Sequence, residues 1–166
     1  PCKKLCVRRP RSNVLLEQAL DAALHDRASF RCGESVLDVY LQKYAAQQHA
    51  KGVSSVFVLV DSRAPATILG YYTLSAAQVG ADQLSAAERK KLPAYPIPCF
   101  RMGRLACSLA RKGQGLGATL LGLAVDRCLQ ARTQVAAYAL IVDAKSPDAA
   151  GFYQHHGFVP LSLIHI

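Results

Sequence analysis

The sequence predicts a mixed α/β fold on one central sheet, antiparallel in its N-terminal strands and parallel in its C-terminal strands, with helices flanking it. Three observations carry that expectation. Two segments rich in β-branched residues, Val53–Val60 and Thr67–Ser75, are joined by a short turn, which restricts them to an antiparallel hairpin. Two later strand-like segments, Cys99–Ser108 and Ala136–Val142, are separated by a glycine-rich turn and a long amphipathic helix, the kind of crossover a parallel pair requires. The 166 residues, 51% hydrophobic and 19% charged, supply a buried core for a single domain of ordinary size.

Taken in order, residues 1–12 are a basic extension and residues 13–166 the single domain. Asn13–His25 places Leu16, Ala19, Leu20, Ala23 and Leu24 at helical spacing and predicts an amphipathic helix. After Cys32-Gly33, Ser35-x-x-Asp38 resembles a capping box ahead of Leu37, Tyr40, Leu41 and Tyr44, and predicts a second helix. The hairpin follows, with Asp61–Ala66 and its Pro65 as the turn. Asp82–Leu92 reads as a polar helix, Pro93–Pro98 as an extended connector and Cys99–Ser108 as the third strand. The glycine-rich turn opens a helix to about Gln130, and the strand Ala136–Val142 comes next. A short helix then has Ser146 as N-cap, Pro147 at its first position and Asp148 near its positive end. Gly157 ends it and Phe158–Ile164 is the last expected strand, giving the order ααββαβαβαβ.

Composition excludes several classes. The longest apolar runs, Val53–Val60 and Val135–Val142, are far short of the roughly 18 residues of a spanning helix, so no membrane role is expected. The basic start is not followed by an uninterrupted apolar stretch, because Glu17 breaks the Val14–Leu16 run, and a secretory signal is not expected. Six cysteines, at 2, 6, 32, 99, 107 and 128, form no C-x-x-C pair and have no histidines at zinc-finger spacing. They are expected to be reduced and mostly buried in a cytoplasmic protein, with no metal site.

The net charge of +9 points to polyanions. Five of the basic residues fall within 1–11 (Lys3, Lys4, Arg8, Arg9 and Arg11), leaving +4 for the rest. A second cluster comprises Arg89, Lys90, Lys91, Arg101, Arg104, Arg111 and Lys112, and no acid occurs between Arg89 and Val125. That window is either an anion-binding face or a solvated one. Within it, Lys112-Gly-Gln-Gly-Leu-Gly-Ala118 joins a strand to a helix. Alternate glycines allow close backbone approach, and the helix N-terminus adds positive potential, so the turn suits a phosphate or pyrophosphate. It lacks the Gly-Lys-Ser/Thr ending of a P-loop. Gly113-x-Gly115-x-x-Ala118 fits a dinucleotide fingerprint, with Asp143 ending the next strand, but antiparallel strands precede it where a Rossmann domain would begin.

The chain resembles the GNAT-superfamily N-acetyltransferases, and within them the GNAT toxins of bacterial toxin–antitoxin pairs. The matching pieces are Phe30-Arg-Cys-Gly33, Leu37-Asp38, Tyr40-Leu41, Leu69-Gly-Tyr-Tyr-Thr-Leu-Ser75, Leu92-Pro93, Gly103-Arg-Leu-Ala106, the three glycines 113, 115 and 117, Ala150-Gly-Phe-Tyr153 and Gly157-Phe158. They run in family order across roughly residues 14–160. Two departures stand out: Lys112 occupies a place where the family prefers Gln or Arg, and the family continues past Gly157-Phe158 into a loop and one more strand, where this sequence has Leu161–Ile166. A GNAT sheet without its final strand is the resulting expectation.

The resemblance implies acetyl-CoA held by Lys112, Gly113, Gln114, Gly115, Leu116, Gly117 and Ala118 at the pyrophosphate, by the backbone of Leu105, Ala106 and Cys107 along the pantetheine, and by Phe152. It puts the hydroxyl of Tyr153 beside the CoA sulfur, as acid for the leaving thiolate. No base is evident, and Asp143, His155 and His156 fit helix-boundary or surface positions better. The implied acceptor is the α-amino group of an aminoacyl-tRNA, whose acetylation blocks translation, with Lys90, Lys91 and Arg101 as tRNA contacts. A ribbon-helix-helix antitoxin and a homodimer are the implied partners. The alternatives are a GNAT enzyme acting on a small or protein amine, and a noncatalytic RNA- or partner-binding module on the same fold.

Overall fold

The computed structural model describes residues 13–161. Among these residues a five-stranded sheet runs in the order β1-β2-β3-β4-β5. Strands β1 (Leu15–Ala19), β2 (Ser55–Asp61), β3 (Ala64–Val79) and β4 (Ile97–Cys107) pair antiparallel, and β5 (Leu140–Val142) lies parallel to β4. The expected antiparallel-then-parallel sheet is present. The β2–β3 turn is tighter than the expected Asp61–Ala66: β3 begins at Ala64 and takes in Pro65 and Ala66, Asp61 pairs with Ala64, and the Asp61 carboxylate accepts from the Arg63 N–H at 2.9 Å.

Alternation along the strands divides the core between two faces. Val56, Val58, Val60, Tyr71 and Ala106 pack with Phe30, Tyr40, Leu41 and Ala45. The last three belong to a helical segment running from α1 (Ser35–Val39) through a π-helical turn (Tyr40–Tyr44) into α2 (Ala45–Ala50). In that turn the Ala45 N–H reaches back to the Tyr40 carbonyl, five residues rather than four. On the other face Leu59, Tyr72, Leu74 and Met102 meet Leu116, Leu120, Leu121, Ala124 and Cys128 of α4 (Leu116–Ala131). The short helices α3 (Ala86–Arg89) and α5 (Pro147–His155) complete the described elements.

One residue changes the phase of β4. Thr73 faces Arg104 and Leu74 faces Met102, so Gly103 is an extra residue, a β-bulge. Before it Phe100 and Met102 point to the α4 face; after it Leu105 and Cys107 do, and Ala106 joins the opposite core. Without the bulge Arg104 would share a face with Met102.

Several sequence expectations are corrected. Asn13–His25 is not a helix: it holds strand β1, in register with Phe57–Asp61, followed by a turn closed by His25 N–H to the Asp21 carbonyl. Backbone pairing to β2 satisfies this segment, and Glu17 turns inward to bond Tyr72 and Arg127. The Ser35–Asp38 capping box does not form. Glu34 is the N-cap without a side-chain bond, and the Asp38 carboxylate accepts from the Cys32 N–H at 2.8 Å. The polar helix at Asp82–Leu92 shrinks to a 3-10 turn (Ala81–Gln83) and one turn of α3, held by the Ser85–Glu88 capping box. Only Leu140–Val142 of the strand expected at Ala136–Val142 pairs. No strand forms over residues 158–161; residues 162–164 of that expectation, the basic extension and Cys2 and Cys6 lie outside the described residues. The element order is therefore β-α-α-β-β-α-β-α-β-α. Cys32, Cys99, Cys107 and Cys128 are free thiols, with Cys99 and Cys128 buried.

Candidate active site

The site begins where the sheet opens. β4 pairs with β5 only over Phe100–Met102, yet it continues to pair with β3 as far as Cys107. From Gly103 to Cys107, then, the β4 edge facing β5 has no strand partner among the described residues. Backbone groups on that edge are available to a ligand that carries amides of its own. Leu105 and Cys107 are half-buried on the α4 side, and Ala106 is buried on the other.

The glycine turn lies just past this open edge. Gly113 (φ +78°) and Gly115 (φ +76°) adopt the left-handed backbone that glycine tolerates, and nothing lies within 4 Å of a Cβ built on either. Gly115 is the N-cap of α4, with no side-chain cap and no acid in the first turn, so the first N–H groups of a 16-residue helix are left for an anion. Lys112, Gly113, Gln114, Gly115 and Ala118 are exposed around it, and Leu116 is buried beneath. Gly117 differs from the other two. A Cβ there would lie 3.4 Å from Phe152 Cε2 and 3.9 Å from Cys107 Sγ, ordinary contact distances that place α5 and the end of β4 against the first turn of α4. Arg111 donates to Gln114 Oε1 at 3.2 Å; the Asp61 carboxyl is held below its usual range chiefly by the Arg63 backbone N–H, with Arg111 adding the smallest part.

Helix α5 closes the arrangement. Ser146 Oγ accepts from Ala149 N–H at 3.1 Å and Pro147 takes the first turn, as the sequence predicts. Phe152 reaches Gly117, and Tyr153 packs 5.3 Å from Phe152 and 5.5 Å from Phe158, ring centre to ring centre. Tyr153 lines an open cleft of about 1140 Å³ together with Arg101, Leu140–Lys145 and Phe158. Burial raises the Tyr153 pKa above the ordinary phenol value, which keeps the hydroxyl protonated at neutral pH. Phe152, Cys107 and Gly117 are thus brought together at the open end of β4, with Tyr153 packed on Phe152, while the cleft that Tyr153 lines runs past Ile97, Cys99 and Arg101 of the same strand.

The expected nucleic-acid contacts are less uniform. Lys90 and Lys91 are exposed, just beyond the cleft-lining Glu88. Arg101 instead makes a 2.6 Å ion pair with Asp143 that ties β4 to the end of β5. His155 and His156 are exposed at the C-terminal end of α5. Sequence reasoning missed the bulge and the Arg104 position it creates, although an isolated glycine inside a strand pattern was the available signal. Among the described residues no cluster of His, Cys, Asp or Glu could hold a metal, and no helix is long and apolar enough to cross a membrane.

No family model matches the sequence. The tRNA-acetylating toxin of Mycobacterium tuberculosis is 36% identical over 134 residues, spanning 80% of this chain and 78% of that protein. AtaT complexed with acetyl-methionyl-tRNAfMet superposes with a TM-score of 0.84 at 32% identity, covering 92% of this chain and 91% of AtaT. A tyrosine-to-phenylalanine mutant of AtaT bound to the C-terminus of the antitoxin AtaR and to acetyl-CoA gives a TM-score of 0.77 at 30% identity, covering 89% of this chain and 86% of the mutant toxin. Sequence similarity along most of both chains coincides with a common fold, and on that footing the chain belongs to the tRNA-acetylating toxins of the GNAT superfamily.

Proposed function

We propose that this chain transfers the acetyl group of acetyl-CoA to the α-amino group of aminoacyl-tRNA and so blocks translation. The observation that carries the reading is the open β4 edge, which has an uncapped glycine turn at one end and Phe152, packed on Tyr153, against Gly117 of that turn. The residues present fit acetyl-CoA: the two left-handed glycines leave room for a pyrophosphate, and Leu105–Cys107 offer backbone partners to an amide-bearing arm. Acetyl-CoA supplies an activated acyl group when bound. Lys112 and the first N–H groups of α4 hold the phosphates, while Leu105, Ala106 and Cys107 fix the arm along β4 as an added strand would be fixed. A backbone N–H of this segment polarises the thioester carbonyl.

The neutral acceptor amine forms the new C–N bond as the C–S bond breaks. Its surplus proton leaves to solvent, and Tyr153 donates its phenolic proton to the departing sulfur before recovering one from water. An α-amino group has an unperturbed pKa of about 7.7–8.0, so a dedicated base is not required. Lys90 and Lys91 contribute phosphate contacts to the tRNA, and Arg101 joins them only by yielding its pair with Asp143. A ribbon-helix-helix antitoxin, a homodimer and a cytoplasmic setting belong to the same reading and rest on the resemblance.

The test is transfer of labelled acetyl to a pool of charged tRNAs by the wild type and by Tyr153→Phe. Label on the aminoacyl group with the wild type, falling roughly 10²–10⁴-fold in the variant, is the expected result. Acetylation of other amines but not of charged tRNA would replace the acceptor. Binding of tRNA with no transfer would favour the noncatalytic module.

A further inference from the structure

The bulge at Gly103 decides where the next side chain goes. It sends Arg104 to the face opposite α4 and α5, where its guanidinium lies 3.6 Å over the ring of Tyr40. Tyr40 is a firm platform: it is 3% exposed, begins the π-helical turn, and donates from its hydroxyl to Gln48 Oε1 at 3.0 Å. A cation on an aromatic face retains its in-plane N–H donors for another partner.

Arg104 also lacks what its neighbours have. Arg101 is paired with Asp143, Arg127 with Glu17 and Arg63 with Asp61. Among the described residues Arg104 has no carboxylate partner, and its guanidinium makes no hydrogen bond to the protein. A half-buried guanidinium with unused donors, one residue before the Leu105–Cys107 segment, is placed to receive an anionic acceptor. Helices α4 and α5 stand on the other side of β4, with Phe152 against Gly117, so Arg104 leaves that side to the glycine turn and α5.

We propose that Arg104, stacked on Tyr40, binds the phosphodiester between the last two nucleotides of the acceptor strand and so sets the aminoacyl ester at the open edge of β4. This rests on the proposed aminoacyl-tRNA reading. The planar fork suits a phosphate better than a lysine would, and the aromatic platform fixes its orientation.

The experiment measures the Kd of full-length tRNA for the wild type, Arg104→Gln and Arg104→Lys, with steady-state acetylation of the charged form alongside. Each is repeated with tRNA whose terminal phosphodiester is a neutral methylphosphonate. The expected result is a roughly 10- to 100-fold weaker Kd and higher KM for charged tRNA in Arg104→Gln. A smaller loss is expected in Arg104→Lys, with KM for acetyl-CoA unchanged in both. On the methylphosphonate tRNA, wild type and variants should bind alike. Losses that multiply when both changes are combined would overturn the assignment, as would an unchanged Kd in Arg104→Gln. Should Arg104→Gln fail to fold, the same comparison with Arg104→Lys decides. A wild type that acetylates no charged tRNA refutes the underlying reading instead, which the same assay separates.

Discussion

Gly70→Ala tests how tightly the open edge is held. Gly70 lies on β3 opposite Cys107 of β4 and Leu59 of β2, at the level of the segment assigned to the pantetheine arm. A Cβ at this position would lie 2.7 Å from Leu120 Cδ1 and 2.9 Å from the Ala106 carbonyl oxygen. Leu120 is 0% exposed within the α4 core and has little room to rotate, and the Ala106 oxygen is backbone. Either α4 or β4 must therefore move. Overpacking of this kind costs about 1–3 kcal/mol. For a chain of this size that lowers the Tm by roughly 2–12 °C. Displacing Ala106 also disturbs the neighbouring Leu105 and Cys107, so the affinity for acetyl-CoA falls with stability. Thermal melts and calorimetric titration with acetyl-CoA measure both, with Gly122→Ala in α4 as control, since nothing lies within 4 Å of its Cβ. A Tm within a degree of wild type, with unchanged acetyl-CoA affinity, would refute the inference that β3 and β4 are in tight contact there.

Three other outcomes are expected. Gly115→Ala places a side chain at φ +76° and should cost about 1–2 kcal/mol in urea unfolding, whereas Gly117→Ala, with helical backbone and a tolerable 3.4 Å contact, should be neutral or slightly stabilising. Equal losses for the two would contradict their different roles. Glu17→Ala strands Tyr72 and Arg127 beneath the sheet edge and should destabilise by about 1–3 kcal/mol, with Glu17→Gln milder; a surface-like loss below 0.5 kcal/mol would refute the bracket. The pH–rate profile should rise as the acceptor amine deprotonates and then stay level, because an acid works protonated and burial lifts Tyr153 above the ordinary phenol value of about 10. A descending limb near pH 8–9 in short-time assays would remove Tyr153 from that role.

The parts of the fold legible in sequence are those determined locally. The hairpin follows from two β-branched segments and a short turn, and α5 follows from Ser146-Pro147 at one end and Gly157 at the other. Strand β1 was not legible. Its leucines and alanines satisfy a helical spacing, but only Leu20 of that set is buried; the strand is fixed by pairing to β2 and by Glu17 meeting Tyr72 and Arg127, 55 and 110 residues away. No local window contains those partners. The places of the glycine turn before α4 and of Tyr153 in α5 were legible because glycine spacing and helix-capping residues are local, whereas the Arg101–Asp143 pair joins strands whose register the sequence does not state.

Gly103 links the two halves of the chemistry. The β4–β5 pairing stops at Met102, the residue before the insertion, and the insertion exchanges the faces of every side chain beyond it. The open edge and the Arg104–Tyr40 stack therefore begin at the same point of β4. Glycine suits the place because a Cβ there would stand 3.3 Å from Thr73 Oγ1, tight for a neighbour that is itself 1% exposed. That phase change puts Arg104 on one face of β4, while α4 and α5, with the glycine turn and Tyr153, stand on the other. In the proposed reading an acetyl donor and a nucleic-acid acceptor then meet at the β4 edge without competing for the same surface.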